Sequence, residues 1–243
     1  MGNKDILAII PARGGSKSVL KKNIHLLAGK PLIVYTIEAA KRSALLTRTI
    51  VSTDDEEIAR IARDLGAEVP FMRPAEHASD QAEDLPVFKH ALQWFNKHER
   101  WVPEIVCRLA PTSPLRRAEH IDAACRLLLG SPQADSVRSV CEAPKHPLKM
   151  WRIKNGDLAP FVPLEVFGIR EPYNKPRQAL PEAYVQNGVV EAIRSKTILE
   201  KNSMSGEKIL SLVVAPEDSV NIDGPLDFLW AEFLISQRKG SVK

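Results

Sequence analysis

Ile6-Leu7-Ala8-Ile9-Ile10-Pro11-Ala12-Arg13-Gly14-Gly15-Ser16-Lys17 is the stretch that decides the fold class. Residues 6–10 are apolar throughout, without polar alternation. Such a run reads as a strand buried on both faces, the kind found inside a parallel sheet. A glycine-rich basic loop follows at once and runs to Lys30. Pro31 then opens a helix with Ile33, Ile37, Ala40 and Ala44 on one face.

Outward from this unit the alternation repeats. A strand at 49–52 leads to a helix striped by Ile58, Ile61, Ala62 and Leu65 and ended by Gly66. Thr53 and Glu56 stand at capping-box spacing, and Asp54, Asp55, Glu56 and Glu57 crowd the first turn, where the helix dipole favours negative charge. Further strands are predicted at 67–72, 105–109 and 136–141. The helices between them are marked by Phe88, Ala91, Leu92 and Phe95, and by Ile121, Ala124, Cys125 and Leu128, the latter closed by Gly130. Strand and helix in turn predict an α/β fold with a mainly parallel sheet and right-handed crossovers. Between 143 and 181 prolines accumulate and helical periodicity stops. That stretch is too long for a plain loop, so a lid, an inserted hairpin or a subunit contact is expected there. Strands resume at 185–193 and 209–214, and a last helix carries Leu226, Leu229, Trp230 and Phe233.

Composition narrows the classes. The 243 residues are 44% hydrophobic and 26% charged, a globular balance that excludes a disordered or collagen-like chain. The net charge of +4 is too small for a protein that coats nucleic acid, and it leaves room for a local cationic pocket. No apolar run approaches the roughly 18 residues of a membrane helix, and charges enter the N-terminus at once, against a signal peptide. Cys107, Cys125 and Cys141 are odd in number and widely spaced, so reduced buried thiols and a cytoplasmic location are expected.

Ligands of an open parallel sheet bind beyond the carboxyl ends of its strands, and four stretches qualify. In the first, Gly14 and Gly15 let the backbone approach a ligand, while Arg13, Lys17, Lys21 and Lys22 supply cations. Such a loop, including Ser16, is a cradle for a polyphosphate, although neither a Walker loop nor a dinucleotide fingerprint is present. The second stretch, Arg73-Pro74-Ala75-Glu76-His77-Ala78-Ser79-Asp80, mixes a cation with small polar groups; Ser79 or Asp80 equally suits a helix cap. In the third, Ala110-Pro111-Thr112-Ser113-Pro114-Leu115-Arg116, prolines fix a turn where a base or ribose fits, and Ser113 with Pro114 equally suits a helix start. In the fourth, Asn221 and Asp223 point to one side of an extended stretch, a spacing that suits Mg²⁺; Asp223 would otherwise charge the start of the last helix.

Taken in order, these segments resemble the acylneuraminate cytidylyltransferase family, the CMP-sialic acid synthetases. The matching segments are 10–17, Lys22-Asn23, 51–54, 73–76, 78–80, 111–116, His146-Pro147-Leu148-Lys149, Pro176-Arg177-Gln178, Asn187-Gly188 and Ile222-Asp223. The resemblance implies a three-layer α/β sandwich of the nucleotide-diphosphosugar transferase type. It implies one cytidylyltransferase domain over 1–243, with a proline-rich insertion at about 143–184 that serves a homodimer. The implied reaction joins CTP to a 2-keto-3-deoxy sugar acid (sialic acid or a related nonulosonate) and releases pyrophosphate. By similarity Arg13 and Lys22 hold the triphosphate, with Lys17 nearby. Asn23, Arg73 and Ser79 place the cytidine, with Thr112 beside it. Lys149, Arg177, Gln178 and Asn187 face the sugar acid, and Asp223 with Asn221 binds Mg²⁺. Neither nucleic acid nor membrane is an expected partner.

The chain departs from the family pattern at informative places. Ala110 stands where a glutamine is usual and Asn221 where an aspartate is usual, and after Asn187-Gly188 the chain reads Val189-Val190-Glu191-Ala192-Ile193, where sialate-specific members usually carry a tyrosine. Ser18-Val19-Leu20 replaces a glycine-then-proline stretch. Two other readings therefore stay open. One is a nucleotidyltransferase of the same fold with a neutral sugar or phosphonate acceptor. The other is a non-catalytic nucleotide-binding homologue.

Overall fold

A computed structural model describes residues 5–16, 18–79 and 82–240 of the chain. In chain order the strands are β1 (Ile6–Pro11), β2 (Leu26–Leu27), β3 (Lys30–Pro31), β4 (Arg48–Ser52), β5 (Ile105–Arg108), β6 (Ser136–Glu142), β7 (Trp151–Lys154), β8 (Asp157–Pro160), β9 (Tyr184–Arg194) and β10 (Ile209–Val213). The helices are α1 (Leu32–Arg42), α2 (Glu56–Asp64), α3 (Asp84–Glu99), α4 (Ala118–Leu129), α5 (Ser195–Leu199) and α6 (Pro225–Gly240). Six strands form one sheet in the order β10-β6-β9-β5-β1-β4. β1 is parallel to β4 and β5, and β10 is parallel to β6, while β9 runs antiparallel to β5.

The continuous apolar run of β1 is explained by what lies on each face. Ile6, Ala8 and Ile10 pack with Ile33 and Ile37 of α1, Ile58 and Ala62 of α2, and Ile121 and Cys125 of α4. Leu7 and Ile9 pack instead with Phe88, Leu92 and Phe95 of α3 and Ile198 of α5. Helices therefore cover both faces, and the three-layer α/β sandwich is borne out. Each fully buried side chain of this size contributes about 1.5–3 kcal/mol of transfer free energy, so a two-faced strand is the main anchor of the sheet. All three cysteines are buried free thiols.

Contacts divide the chain into two compact units, Met1–Val140 with Asn187–Lys243, and Cys141–Gln186. Within the second unit β7 and β8 form a hairpin with Lys154 opposite Asp157. Asn155 and Gly156 both take positive φ (53° and 92°), the backbone that a two-residue hairpin turn requires. Ile153, Leu158, Phe161, Val166 and Phe167 of this unit are exposed.

Several local expectations are corrected. Residues 67–72 make only two isolated bridges, Ile50 to Glu68 and Thr53 to Met72. Pro70 lacks the N–H that a continuous ladder would need. Pro31 is the N-cap of α1 rather than its first turn, and Ala44 lies beyond the helix. Asp55, not Thr53, caps α2: its Oδ1 accepts from Glu57 N at 2.8 Å and Ile58 N at 3.0 Å. Ser113 does not start α4, which begins at Ala118 with Arg117 as N-cap; Ser113 is buried and donates to the Asn187 carbonyl at 3.3 Å. Ser79 does not cap α3, whose N-cap is Glu83, and Asp80 lies outside the described residues. On α6 the stripe of Leu226, Leu229, Trp230 and Phe233 is exposed, while Phe228, Ala231 and Ile235 are buried. No helix among the described residues is long and apolar enough to cross a membrane.

Candidate functional site

The carboxyl ends of β1 and β5 open into a cavity of about 480 Å³. From the first loop Arg13, Ser16, Ser18, Lys22 and Asn23 line it. Arg73, His77, Ser79 and Asp84 line it from the segment after β4, and Arg108, Ala110 and Thr112 from the end of β5. Three of the four stretches singled out by composition thus share one cavity. Hydrogen bonds tie the fourth to it. Lys22 Nζ donates to the Ile222 carbonyl at 3.0 Å, and Ile222 N donates to the Thr112 carbonyl at 2.8 Å.

The loop is held by its own polar groups. Asn23, buried, donates from Nδ2 to the Arg13 carbonyl at 2.9 Å. Arg13 Nη1 donates to the Ser79 carbonyl at 2.7 Å, joining the first loop to the second. Gly14 N donates to Asp54 Oδ1 at 3.0 Å, and a Cβ at Gly14 would lie 2.8 Å from Asp55 Oδ2, so no side chain fits there. That bond takes one backbone N–H away from the predicted phosphate cradle. At Gly15 a Cβ would meet only open space. Lys21 turns to Glu57 at 2.5 Å, and this partner raises its pKa, so its charge serves an ion pair outside the cavity. Lys17 lies outside the described residues.

Arg73 is buried and donates from Nε to Ser52 Oγ at 3.1 Å and from Nη2 to the Ser52 carbonyl. Burial lowers its pKa, and Asp54 and Asp84 oppose that shift. Arg116, fully enclosed, donates to the carbonyls of Ala110, Gly188 and Val189 and to Thr36 Oγ1. It fixes the turn that presents Ala110 and Thr112, and burial lowers its pKa to about 9.

Asn221 and Asp223 do sit side by side, with Asn221 Nδ2 donating to Asp223 Oδ2 at 2.8 Å. Asp227 Oδ2 accepts from Asp223 N at 2.9 Å and Gly224 N at 2.7 Å, which fixes the backbone beneath them. Asn187 is buried, and its amide is engaged within the fold: Oδ1 accepts from Ser139 Oγ at 2.7 Å and Nδ2 donates to Ser219 Oγ at 2.9 Å.

In the second unit Arg177 Nη2 donates to Glu142 Oε1 and to the Ala143 carbonyl, each at 2.7 Å. Arg177 and Gln178 line a separate cavity of about 370 Å³ with Glu142 and His146, whereas Lys149 is exposed outside its lining. His146 Nδ1 accepts from Leu148 N at 3.1 Å. The proton therefore sits on Nε2, which donates to the Pro181 carbonyl at 2.8 Å.

Asp84 and Arg108 lie outside the four stretches yet line the cavity, and Glu191 pairs with Arg108. Arg108 Nε donates to Asp84 Oδ2 at 2.6 Å, and its Nη1 donates to Glu191 Oε1 at 3.2 Å. One signal was available: Arg108 is a charge at the end of an otherwise apolar strand, and a half-buried charge needs a partner.

Known proteins share this architecture. Residues 7–149 match the family described as Cytidylyltransferase. The chain is 34% identical over 238 residues to an N-acylneuraminate cytidylyltransferase of Escherichia coli O18:K1:H7, covering 98% of this chain and 54% of that one. It is 33% identical to a CMP-N,N'-diacetyllegionaminic acid synthase of Legionella pneumophila, covering 95% of this chain and 96% of that one. It therefore spans about half of the first relative and nearly all of the second. A solved structure of CMP:2-keto-3-deoxy-manno-octonic acid synthetase complexed with CTP superposes with a TM-score of 0.70 at 17% identity, over 96% of this chain and 99% of that one. That likeness shows the fold: the nucleotidyltransferase sandwich expected from the motifs.

Proposed function

Because the chain belongs to the cytidylyltransferase family, we propose that it transfers CMP from CTP to the anomeric hydroxyl of an acidic 2-keto-3-deoxy sugar, a nonulosonic acid. The hydroxyl oxygen bonds to the α-phosphorus as the bond from that phosphorus to the pyrophosphate oxygen breaks. Pyrophosphate leaves with the bond pair, and the hydroxyl proton is released. Catalysis of this kind is alignment plus offset of negative charge. Arg13 and Lys22 hold the triphosphate, with the loop around Gly14, Gly15 and Ser16 and with Lys17 contributing. Asn23, Arg73, Ser79 and Thr112 place the nucleoside. The acid carboxylate goes to Lys149, Arg177 and Gln178, whereas the amide of Asn187 is taken up by Ser139 and Ser219.

One observation carries this reading best. The Lys22 ammonium bonds the Ile222 carbonyl, which brings a cation of the first loop to the Asn221–Asp223 pair two hundred residues away. The pair fits Mg²⁺, a hard cation that takes one or two protein oxygens and completes its shell with water and phosphate. Asp223 offers a carboxylate, and Asn221, with its Nδ2 turned to that carboxylate, keeps its amide oxygen available. No cluster of three or more His, Cys, Asp or Glu side chains suited to a metal occurs among the described residues, so the cation would depend on phosphate oxygens as well. When bound, Mg²⁺ would draw charge from the triphosphate.

The homodimer belongs to the same proposal. The exposed apolar side chains of Cys141–Gln186 support a second copy of the chain as their cover. The whole chain then acts as one cytidylyltransferase carrying an inserted dimer segment. CTP supply and the free thiols suit the cytoplasm. Pyrophosphate release should be assayed with each of the four nucleoside triphosphates against a panel of nonulosonic acids and neutral sugars. Turnover with CTP and an acid is expected. Activity with UTP or ATP but not CTP would overturn the nucleotide assignment, and turnover confined to neutral sugars would overturn the acceptor. Light scattering at micromolar concentration should give twice the chain mass.

A further inference from the structure

A second cavity, of about 720 Å³, is larger than the one at the carboxyl ends of β1 and β5. It lies in the large unit, where α1, the start of α4 and the end of α6 meet. Among the described residues the two cavities share no lining side chain, yet one turn walls both. Ala110, Pro111 and Thr112 line the first, and Pro114, Leu115 and Arg116 line the second. The floor of the second is apolar, made by Tyr35, Ala39, Leu115 and Ile235. The Tyr35 hydroxyl donates to the Leu27 carbonyl at 2.7 Å, so the ring is what this residue offers a ligand.

The charges decide what the cavity can take. Arg42, Arg116, Arg117 and Arg238 line it against Glu38 and Glu119. Behind them one buried carboxylate, Asp218, serves two guanidiniums: Oδ2 accepts from Arg117 at 2.6 Å and Oδ1 accepts from Arg238. His120 stands 3.3 Å from the same carboxylate, but burial lowers its pKa, so near pH 7 it adds no third charge. Glu38 meets Lys30 at 2.9 Å and Arg42 only at 3.6 Å. Arg117, 56% exposed, spends only Nη2 on Asp218 and His120, which leaves Nε and Nη1 as donors for a ligand. Cations in excess over an apolar floor suit a small molecule with one anionic group on an apolar body. The guanidiniums take carboxylate or phosphate oxygens, and the floor takes the body. An inorganic anion would leave the floor wet, and a neutral molecule would leave the cations unmatched.

We propose that this cavity is a second ligand site, for an anionic amphiphile of metabolite size, and that its occupant adjusts the first cavity through the shared turn. Arg116 is the link: it lines the second cavity, and its Nη2 donates to the Ala110 carbonyl at 2.7 Å. Asp218 adds a second link, because it precedes the segment that carries Ile222, whose N–H donates to the Thr112 carbonyl at 2.8 Å. The coupling rests on the CTP reading above; the site does not.

The test is calorimetric titration of the full chain with naphthyl phosphate, naphthoate, naphthylmethanol and inorganic phosphate, with and without CTP and Mg²⁺, for wild type, Arg117→Gln, Arg42→Gln and Lys22→Ala. Wild type should bind one naphthyl anion at least about tenfold tighter than the alcohol or inorganic phosphate, the scale of one charge-assisted contact. Which anion is tighter separates a phosphate ligand from a carboxylate. Arg117→Gln should weaken that binding about tenfold and Arg42→Gln several-fold, while Lys22→Ala stays within about threefold. Saturating CTP should change the anion's affinity at least about threefold without abolishing it, and the anion should change the affinity for CTP by the same factor. An anion bound no tighter than the alcohol or inorganic phosphate overturns the site, as does full affinity in Arg117→Gln. Loss of binding in Lys22→Ala, or outright displacement by CTP, would put the anion in the first cavity and overturns the site too. Anion binding indifferent to CTP overturns the coupling. Failure of wild type to bind CTP overturns the parent reading and the coupling with it, while the naphthyl titrations still decide the site.

Discussion

The two units treat apolar residues in opposite ways. In Met1–Val140 with Asn187–Lys243, strands β1 and β5 are sealed on both faces, and Phe88 and Phe95 have no exposed surface. In Cys141–Gln186, Ile153 is 79% and Phe161 57% exposed, and the regular structure is one hairpin with short 3₁₀ turns. A unit that small cannot bury enough surface to offset its own ordering entropy. The difference separates a part that seals its apolar side chains from a part that leaves them exposed. Histidine and arginine contacts inside the small unit, His146 to Pro181 and Arg177 to Glu142, give it shape without giving it a core.

The sharpest way to break that comparison is to cut one apolar side chain in each unit. Phe88→Ala should cost about 3–5 kcal/mol, the usual cost of a large cavity in a sealed core. Ile153→Asn should change the stability of dilute chain by less than about 0.5 kcal/mol, as surface changes do, and should shift self-association toward the single chain. Urea titration read by fluorescence, with sedimentation at several concentrations, measures both. Equal losses of stability would show that the small unit has a core of its own.

The next effect is functional. Lys22→Ala removes the ammonium that joins the first loop to Ile222 and, in the proposed reaction, a charge at the triphosphate. Turnover should fall about 10²–10³-fold, the scale for losing one stabilising donor, while the urea midpoint stays close to wild type. A large unit that carries its ligand site on loops predicts this separation. If stability and activity fell together, the loop would be part of the core.

Legibility follows the same division. The strand at 6–10 could be read because burial on two faces leaves an unbroken apolar run, and the loop after it because Arg13, Lys22 and Asn23 act within a few residues of one another. Asp84 lies 24 and Glu191 83 residues from Arg108; the antiparallel register of β5 and β9 brings Glu191 opposite Arg108, and the start of α3 brings Asp84 to it. The last helix misled for another reason. Leu226, Leu229, Trp230 and Phe233 make a helical stripe, but so do Phe228, Ala231 and Ile235, and periodicity cannot choose between two apolar faces. For Cys141–Gln186 the prolines marked where regular structure stops and gave no strand register for the hairpin.

A smaller effect tests how the large unit is closed at the edge of its sheet. Asp135 Oδ2 accepts from Glu207 N at 2.9 Å and Lys208 N at 3.2 Å, and its Oδ1 meets Lys201 at 2.7 Å. The Lys201 hydrogen bond, then the backbone N–H groups, hold its pKa well below the usual carboxylate range, against burial. A carboxyl depressed in the folded state contributes stability that is fully present above its unfolded pKa, near 4, and is lost as pH falls through that range toward the folded value. Asp135→Asn should therefore cost about 1–3 kcal/mol at neutral pH, and the gap from wild type should narrow below about pH 4. Melting temperatures of both proteins between pH 3 and 7 would show it; a gap independent of pH would remove the charge from the account.

The smallest expected effect concerns Asn221 and Asp223, proposed above to hold Mg²⁺. Asn221 contributes a neutral amide beside Asp223, and the two already share a hydrogen bond of 2.8 Å. In Asn221→Asp that bond is lost and two carboxylates face each other, which costs stability without a cation and adds a charged ligand with one. The variant should thus need several-fold less Mg²⁺ for half-maximal turnover, and its melting temperature should rise with added Mg²⁺ more than that of wild type. The second readout does not depend on the reaction. The apolar contrast between the units is indifferent to this change, so Ile153→Asn in the same background should leave the Mg²⁺ response of the melting temperature unaltered. An unchanged Mg²⁺ requirement in Asn221→Asp would place position 221 outside the metal shell and leave Asp223 as the protein's ligand in this pair.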